Sequence, residues 1–149
     1  GYTSKEKTGD QRETLFFKPL DGQQRLTTLF LIHWYVASKE GFLEEASVIL
    51  NKFSYATRYT SRLFCEKLLA FQPEKSRESI DLQILDEPWF FSSWRSDPTI
   101  LSMLQMLKDI EQAFDQIEDN VWGKLTGDNP RVVFHLLSMD DLGLPDDLY

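Results

Sequence analysis

Residues 21–38 read DGQQRLTTLFLIHWYVAS, and this stretch decides the fold. It opens with a turn-forming Asp-Gly pair, and its second half is apolar on nearly all sides. A helix that is apolar all round lies in the middle of a core. The stretch therefore predicts a tight turn that leads into a central helix from Gln23 to about Ser38.

Short elements are predicted on both sides of this helix. Upstream, residues 5–14 are polar and are expected to form a loop. Residues 15–20 read as a short strand, in which Pro19 indicates an edge strand or the end of the strand. Downstream, the sequence predicts helices at residues 42–52 and 60–71. Residues 72–86 are highly charged and leave their secondary structure open.

The second half of the chain is predicted to hold one long amphipathic helix. Asp97 and Pro98 are the residue types of an N-cap and of a first helical position. Apolar residues then recur at steps of three and four: Ile100, Met103, Leu107, Ile110, Phe114, Ile117 and Val121. Gly123 or Gly127 is expected to end this helix, and a second strand follows at residues 131–137.

The composition fits one compact cytoplasmic domain. A chain of 149 residues that is 42% hydrophobic can build one stable core. Its single cysteine, Cys65, excludes an internal disulfide and a cysteine-pair zinc site, so we expect a reducing compartment. We find no basic leader and no apolar run of about 18 residues, and we expect no membrane partner.

The charge and the two ends of the chain concern its partners. With 16 basic and 24 acidic residues, the net charge of −8 has the wrong sign for a surface that wraps nucleic acid. DNA contacts are therefore expected to be local or to come from other parts of a longer protein. The chain begins at Gly1 without a methionine and stops at Tyr149 after a turn-rich segment, so we expect both ends to be cut from a longer polypeptide.

The turn ahead of the central helix has the chemistry of a phosphate site. A helix start presents unpaired backbone N–H groups and a positive dipole end. Gly22 has no side chain, so its backbone can approach a phosphate, and the guanidinium of Arg25 can grip two phosphate oxygens. Further neutral groups come from Gln23, Gln24 and the hydroxyls of Thr27 and Thr28.

Asp21 leaves two interpretations of this turn open. A carboxylate beside a phosphate is repulsive unless a cation lies between them, and Mg²⁺ would resolve the conflict. Asp21 and Gln24 also have the spacing of a capping box, which needs no ligand.

Arg58 and Arg62 are the next candidates, because residues four apart share one face of a helix. They could converge with Arg25 on a triphosphate. Alternatively, they pair with carboxylates at the surface of an acidic protein.

The remaining chemistry-bearing residues are expected to have plainer roles. His33 and Cys65 are predicted to be core residues, and the aromatic residues from Trp89 to Trp94 are expected to pack in the core more than to stack on bases. We expect no metal at His135. A solvated loop is expected to carry the late acidic residues: Asp140, Asp141, Asp146 and Asp147.

Four blocks of the chain resemble one family. DGQQRLTTL at residues 21–29 is similar to the signature of the DGQQR family, also called domain of unknown function 262. This is the amino-terminal domain of GmrS/GmrD-type modification-dependent restriction systems. FSYATRYTSRLFC at residues 53–65, WRSDPTILSMLQML at 94–107 and LPDDLY at 144–149 resemble further blocks of that family.

The resemblance implies a mainly helical α/β or α+β domain with a ParB/sulfiredoxin-like core. Its strand, turn and helix at residues 1–40 would bind a nucleotide, followed by a helical part at 41–128 and a strand and loop at 129–149. The implied cofactor is an NTP with Mg²⁺, with Asp21 as metal ligand and Asp21 and Arg25 as catalytic residues. The implied phosphate-binding residues are Gly22, Gln23, Gln24, Arg25, Thr28, Arg58 and Arg62.

The resemblance also implies partners. Nucleotide hydrolysis would control a nuclease, commonly an HNH domain or subunit, that attacks foreign DNA with modified cytosines. Family blocks normally found before the DGQQR strand and after the residue corresponding to Tyr149 are not in this chain, so part of the nucleotide pocket is expected to lie outside it.

Two other functions stay open on the sequence. The motif could itself be a DNA nuclease site, with Asp21 holding a metal and Arg25 steadying the scissile phosphate, although two-metal chemistry needs more nearby acids. The chain could instead be a non-enzymatic assembly module that forms a homo-oligomer through the stripe of the long helix.

Overall fold

The fold is given by a computed structural model that describes residues 2–7, 13–19, 22–74, 78–117 and 120–133. Within these residues the chain forms two strands, six α-helices and one short 3-10 helix. It divides into two compact units, Gly1–Arg25 with Val132–Tyr149, and Leu26–Arg131. The predicted α+β, mainly helical class is confirmed, whereas the ParB/sulfiredoxin-like core stays a prediction.

The first unit contains a β-hairpin. Strand β1 (Tyr2–Lys7) pairs antiparallel with β2 (Glu13–Lys18), in a register that sets Tyr2 opposite Lys18. β2 ends before a proline, as predicted, because proline cannot donate to the ladder. The loop predicted over residues 5–14 is wrong at both ends, which are paired strand. The polar sequence of β1 has no apolar alternation, and its strand conformation comes from pairing with β2.

The second unit is built around helix α1 (Gln23–Glu40), which begins and ends close to its predicted limits. The buried residues of α1 point in all directions, as predicted: Phe30, Leu31, Trp34, Tyr35, Val36 and Ala37. Trp34 donates from Nε1 to the carbonyl of Leu68 at 2.8 Å, which fixes this helix against α3 (Tyr59–Leu69). α1 ends in a Schellman C-cap. The next residue, Gly41, has a φ of +86°, and Phe42 donates its backbone N–H to the carbonyl of Ala37.

Three further helices and a short 3-10 helix belong to the second unit. Helix α2 (Leu43–Leu50) and helix α3 confirm the two predicted helices. The charged segment that the sequence left open contains α4 (Ile80–Asp86), and a 3-10 helix (Ser92–Ser96) follows. Phe64, Phe90 and Trp94 meet edge to face between these elements, with ring centroids 5.5–6.4 Å apart. Phe90 and Trp94 therefore lie in the core, as predicted, and Trp89 packs against it. The prediction is wrong for Phe91, which is 47% exposed.

Helix α5 (Pro98–Phe114) starts where the sequence predicts. The Asp97 carboxylate accepts hydrogen bonds from the backbone N–H groups of Thr99 and Ile100, at 2.9 and 3.3 Å, and is the N-cap. The first residues of the predicted stripe are buried within this chain: Ile100, Met103, Leu107 and Ile110. That part of the stripe is therefore not available to a partner subunit.

The predicted end of the long helix is wrong. α5 stops at Phe114, and a separate helix, α6 (Val121–Thr126), follows. The residue before α6, Asn120, has a φ of +73°, a left-handed conformation that a right-handed helix cannot pass through. Ile117, at 43% exposure, does not continue the buried stripe.

The end of α1 explains the break. Lys39 donates from Nζ to the carbonyl of Phe114 at 2.8 Å, at the end of α5. The carboxylate of Glu40 accepts the backbone N–H groups of Val121 and Trp122 at 2.8 and 3.1 Å, at the start of α6. Two neighbouring residues of α1 therefore satisfy the end of one helix and the start of the next.

The strand predicted at residues 131–137 is wrong where the structure describes it. Residues 131–133 are not strand, and the backbone N–H of Arg131 donates to the carbonyl of Lys124. His135 and the acidic residues after it lie outside the described residues. No helix in the described ranges has both the length and the apolar character needed to cross a bilayer.

Candidate phosphate-binding turn

The candidate site is the turn at residues 22–25, just at the start of α1. Gly22 has a φ of +88°, which favours glycine over any residue with a Cβ. The Arg25 guanidinium lies against it, since a Cβ built on Gly22 would be 3.3 Å from Nη2 and 3.7 Å from Cζ of Arg25. A side chain at this position would therefore make a tight contact with the guanidinium, which would have to shift slightly.

The turn is accessible and electrostatically suited to an anion. Gln23, Gln24 and Arg25 are all exposed. The first turn of α1 contains no acidic side chain, so nothing within that turn offsets the positive end of the helix dipole. The side-chain amides of Gln23 and Gln24 and the first backbone N–H groups of α1 can donate to phosphate oxygens. The guanidinium of Arg25 adds a full positive charge.

The two threonines of the motif have different surroundings. Thr27 is only 4% exposed, and its hydroxyl lies 2.7 Å from the hydroxyl of Tyr55. The expectation that Thr27 offers its hydroxyl to a phosphate is therefore wrong, because the hydroxyl faces the interior. Thr28 is half-buried, and its phosphate contact stays a prediction.

Asp21 lies outside the described residues, so the predicted metal ligand and the capping box with Gln24 both stay predictions. Among the residues that are described, no group of three or more histidine, cysteine or carboxylate side chains could hold a metal ion. The donors present in the turn fit a phosphate group. Whether the turn can also hold Mg²⁺ depends on the carboxylate of Asp21.

Arg58 and Arg62 lie at the start of α3, in the unit Leu26–Arg131. Arg58 precedes the helix and donates from Nη1 to the hydroxyl of Thr99, on the first turn of α5. Arg62 lies over the ring of Tyr59, with Cζ 5.8 Å from the ring centroid. Their convergence on a triphosphate with Arg25 stays a prediction.

Polar contacts join the starts of α3 and α5. Thr60 donates its hydroxyl to Oδ2 of Asp97 at 2.8 Å. Partial burial raises the pKa of Asp97, but the hydrogen bonds from Thr60, Ile100 and Thr99 and the charge of Arg58 outweigh it, and the pKa lies below its ordinary value. Asp97 is therefore charged at neutral pH and stabilises both helix starts.

Of the two remaining residues that were predicted to lie in the core, Cys65 does so. His33 is only half-buried, and its Nδ1 lies 2.7 Å from the carbonyl of Leu29, one turn earlier in α1. Burial, and to a lesser extent the charge of Glu66, raise the pKa of Cys65 to about 12. A thiol with this pKa is protonated at neutral pH, which argues against a nucleophilic role.

Tyr55 is a neighbour of the motif that no spacing in the sequence identifies. Its hydroxyl reaches Thr27 across 28 residues of chain, and no spacing rule connects positions so far apart. Among the described residues of the motif, Thr27 alone is buried, and this burial becomes apparent only in the folded chain.

Comparison with known proteins places the chain in a family. The family model described as the N-terminal domain of the GmrSD restriction endonuclease matches residues 5–143. The chain has no significant match to a curated protein or to a solved structure. The match spans the turn at residues 22–25 and all of the described helices, so the chain belongs to the family of GmrSD restriction endonuclease N-terminal domains, which are parts of restriction-defence proteins.

Proposed function

We propose that this domain binds the phosphates of a nucleoside triphosphate at the 22–25 turn, and that nucleotide hydrolysis regulates the nuclease part of a cytoplasmic restriction protein. The observation that carries the proposal is the arrangement of Gly22 and Arg25. A glycine with positive φ, an exposed guanidinium against it and the start of a long helix together form an anion-binding surface.

The exposure of Arg25 supports this proposal. Its guanidinium is accessible from solvent at the start of α1, where an anion can reach it. Gln23 and Gln24 extend the same exposed surface and can donate from their amides.

Mg²⁺ would be held by Asp21 together with the phosphates, and would supply charge neutralisation during hydrolysis. The described residues contribute the binding and orientation of the phosphates. The regulated activity would be cleavage of modified foreign DNA by a nuclease domain or subunit. In support of this, the family description names a restriction endonuclease.

Calorimetric titration of the intact protein with each of the four common NTPs, in the presence of Mg²⁺, tests the proposal. Arg25→Ala is expected to weaken the affinity by about 10- to 100-fold, because charge-assisted hydrogen bonds contribute about 1.5–3 kcal/mol. Arg25→Lys, which keeps the charge and loses the planar fork, should lie between the variant and the wild type.

Arg95→Ala is the matched control. Arg95 is also exposed, but it donates to the carbonyl of Leu85 and lies over the ring of Phe90, within the helical unit. Its removal should leave nucleotide affinity unchanged. Wild-type affinity in Arg25→Ala would contradict the proposed phosphate site.

A further inference from the structure

We infer that Tyr55 is a positioning residue for the phosphate-binding turn, because its hydrogen bond to Thr27 holds the start of α1 against the loop before α3. The inference rests on the proposed function and names a residue outside the DGQQR motif that this function needs. The contact lies within the unit Leu26–Arg131 and involves no residue of the turn itself.

Thr27 is well placed to restrain the turn. It follows Arg25 by two residues on the same continuous helix, within the second turn of α1. Helix ends fray before helix centres, and a tertiary contact close to the end opposes that opening. A restraint on Thr27 therefore limits how the preceding residues can move.

Tyr55 is itself held in place by aromatic packing. Its ring meets Phe53 edge to face at 5.6 Å, and Phe53 stacks on Phe30 at 4.9 Å with an interplanar angle of 26°. Phe30 lies on α1 three residues after Thr27, so both residues are on one face of the helix. The loop therefore contacts α1 twice, through the hydrogen bond to Thr27 and through the stacking on Phe30.

The same loop is anchored on its other side. Arg58, three residues after Tyr55, donates to the hydroxyl of Thr99 at the start of α5. Burial raises the pKa of Tyr55, and this effect exceeds the lowering by its bond to Thr27 and by the charge of Arg58. The phenol is consequently protonated at neutral pH, as a hydrogen bond between two hydroxyl groups requires.

The hydrogen bond ties the buried hydroxyl of Thr27 to the loop before α3. Loss of the Tyr55 hydroxyl removes this link, so conformations in which Thr27 moves away from the loop become more favourable. Such movement would shift the start of α1 away from the geometry that receives a phosphate. The effect on binding would be indirect, through the position of the helix start.

Four variants of the intact protein test this inference. Tyr55→Phe and Thr27→Val each remove one hydroxyl and keep the packing, and the double variant shows whether the two effects are coupled. Thr27→Ser restores the hydroxyl and should recover the wild-type behaviour. Tyr35→Phe is the matched control, since it removes the hydroxyl of a buried tyrosine that lies on α1, as Thr27 does.

Two measurements are made on each variant: amide hydrogen exchange of residues 27–30 without nucleotide, and calorimetric affinity for whichever of ATP, GTP, CTP or UTP the wild type binds best. Tyr55→Phe and Thr27→Val are each expected to speed exchange and weaken binding by about threefold to tenfold, the range of one net hydrogen bond. The double variant should be no worse than either single one.

The outcomes separate this inference from the proposed function. Unchanged exchange in Tyr55→Phe, or faster exchange with unchanged affinity, overturns the positioning role while leaving the phosphate site intact. Absence of nucleotide binding in the wild type, or full binding in Arg25→Ala, defeats the proposed function. In that case the positioning role in binding falls with it, and the exchange data decide only whether Tyr55 restrains α1.

Discussion

Gly22 and Gly41 have nearly the same backbone conformation in different surroundings, with φ of +88° and +86°. A Cβ on Gly22 would lie 3.3 Å from the Arg25 guanidinium, whereas one on Gly41 would meet nothing within 4 Å. Alanine at either position is expected to cost about 1–2 kcal/mol in the free energy of unfolding, measured in urea. Only Gly22→Ala should also weaken nucleotide binding, because it displaces Arg25.

Gly41→Ala is thus the control for backbone strain alone. Equal losses of nucleotide affinity in both variants would show that the effect comes from general destabilisation. Binding that survives in Gly22→Ala would mean that the position of the guanidinium against the turn is not required.

Cys65 offers a residue-level test of the core. It is 3% exposed, and its pKa is raised to about 12 by burial and by Glu66. We expect iodoacetamide at pH 8 to label the thiol only as fast as the protein opens, and urea to increase the rate sharply. Rapid labelling of the native protein would contradict the burial of Cys65 on α3.

The start of α5 carries a prediction at the scale of one element. Asp97→Ala removes the N-cap and is expected to lower the free energy of unfolding by about 1 kcal/mol, whereas Asp97→Asn keeps a good capping residue and should lose less. Thermal unfolding of the three proteins at pH 7 measures the difference.

The same residue predicts a pH dependence. Because the pKa of Asp97 is lower in the folded state than its ordinary value of 3.8, the charged form stabilises the fold. This contribution is complete above 3.8 and is lost as the pH falls through the folded pKa. The stability difference between wild type and Asp97→Asn should therefore shrink in acid, and a difference that grows would contradict the assignment.

Helix α6 depends on a residue far from it in sequence. It has six residues, too few to be stable alone, and Glu40 accepts two of its first N–H groups from 81 and 82 residues away. Glu40→Ala is expected to speed amide exchange across α6 by about tenfold, with a smaller effect in Glu40→Gln, which keeps an acceptor. Exchange that stays slow in Glu40→Ala would show that packing of Trp122 suffices.

An element could be predicted from the sequence when the residues that determine its limits lie close to it in the chain. The starts of α1 and α5 were predictable because a turn glycine and a capping aspartate lie beside them in sequence. The end of α5 was not, since Lys39 contacts it from 75 residues away. β1 was missed because its polar sequence has no alternation, and only its pairing with β2 defines it.

At the scale of the whole molecule, the helical unit depends on Trp34. It is fully buried, donates to Leu68 and stacks near Phe71 with ring centroids 6.4 Å apart. Trp34→Phe leaves a cavity and is expected to destabilise the fold by about 2–3 kcal/mol, measured by urea unfolding. A loss well below 1 kcal/mol would mean that α1 is not the centre of this core.

The candidate site was only partly predictable from sequence. Gly22 and Arg25 are three residues apart, so local turn chemistry sufficed to propose their cooperation. The different surroundings of Thr27 and Thr28 could not be predicted, because the sequence does not show which face of α1 is covered. Tyr55 required the tertiary path of the loop before α3, which no local pattern encodes.

The contacts of the neighbouring residues Lys39 and Glu40 require α1 to have a fixed length. Removing a single residue from a helix rotates everything beyond it by about 100° and shifts it by about 1.5 Å, so one deletion would carry both side chains away from the helix ends they serve. Relatives of this domain should therefore vary in length within their loops and keep the number of residues between the DGQQR motif and this lysine-glutamate pair constant.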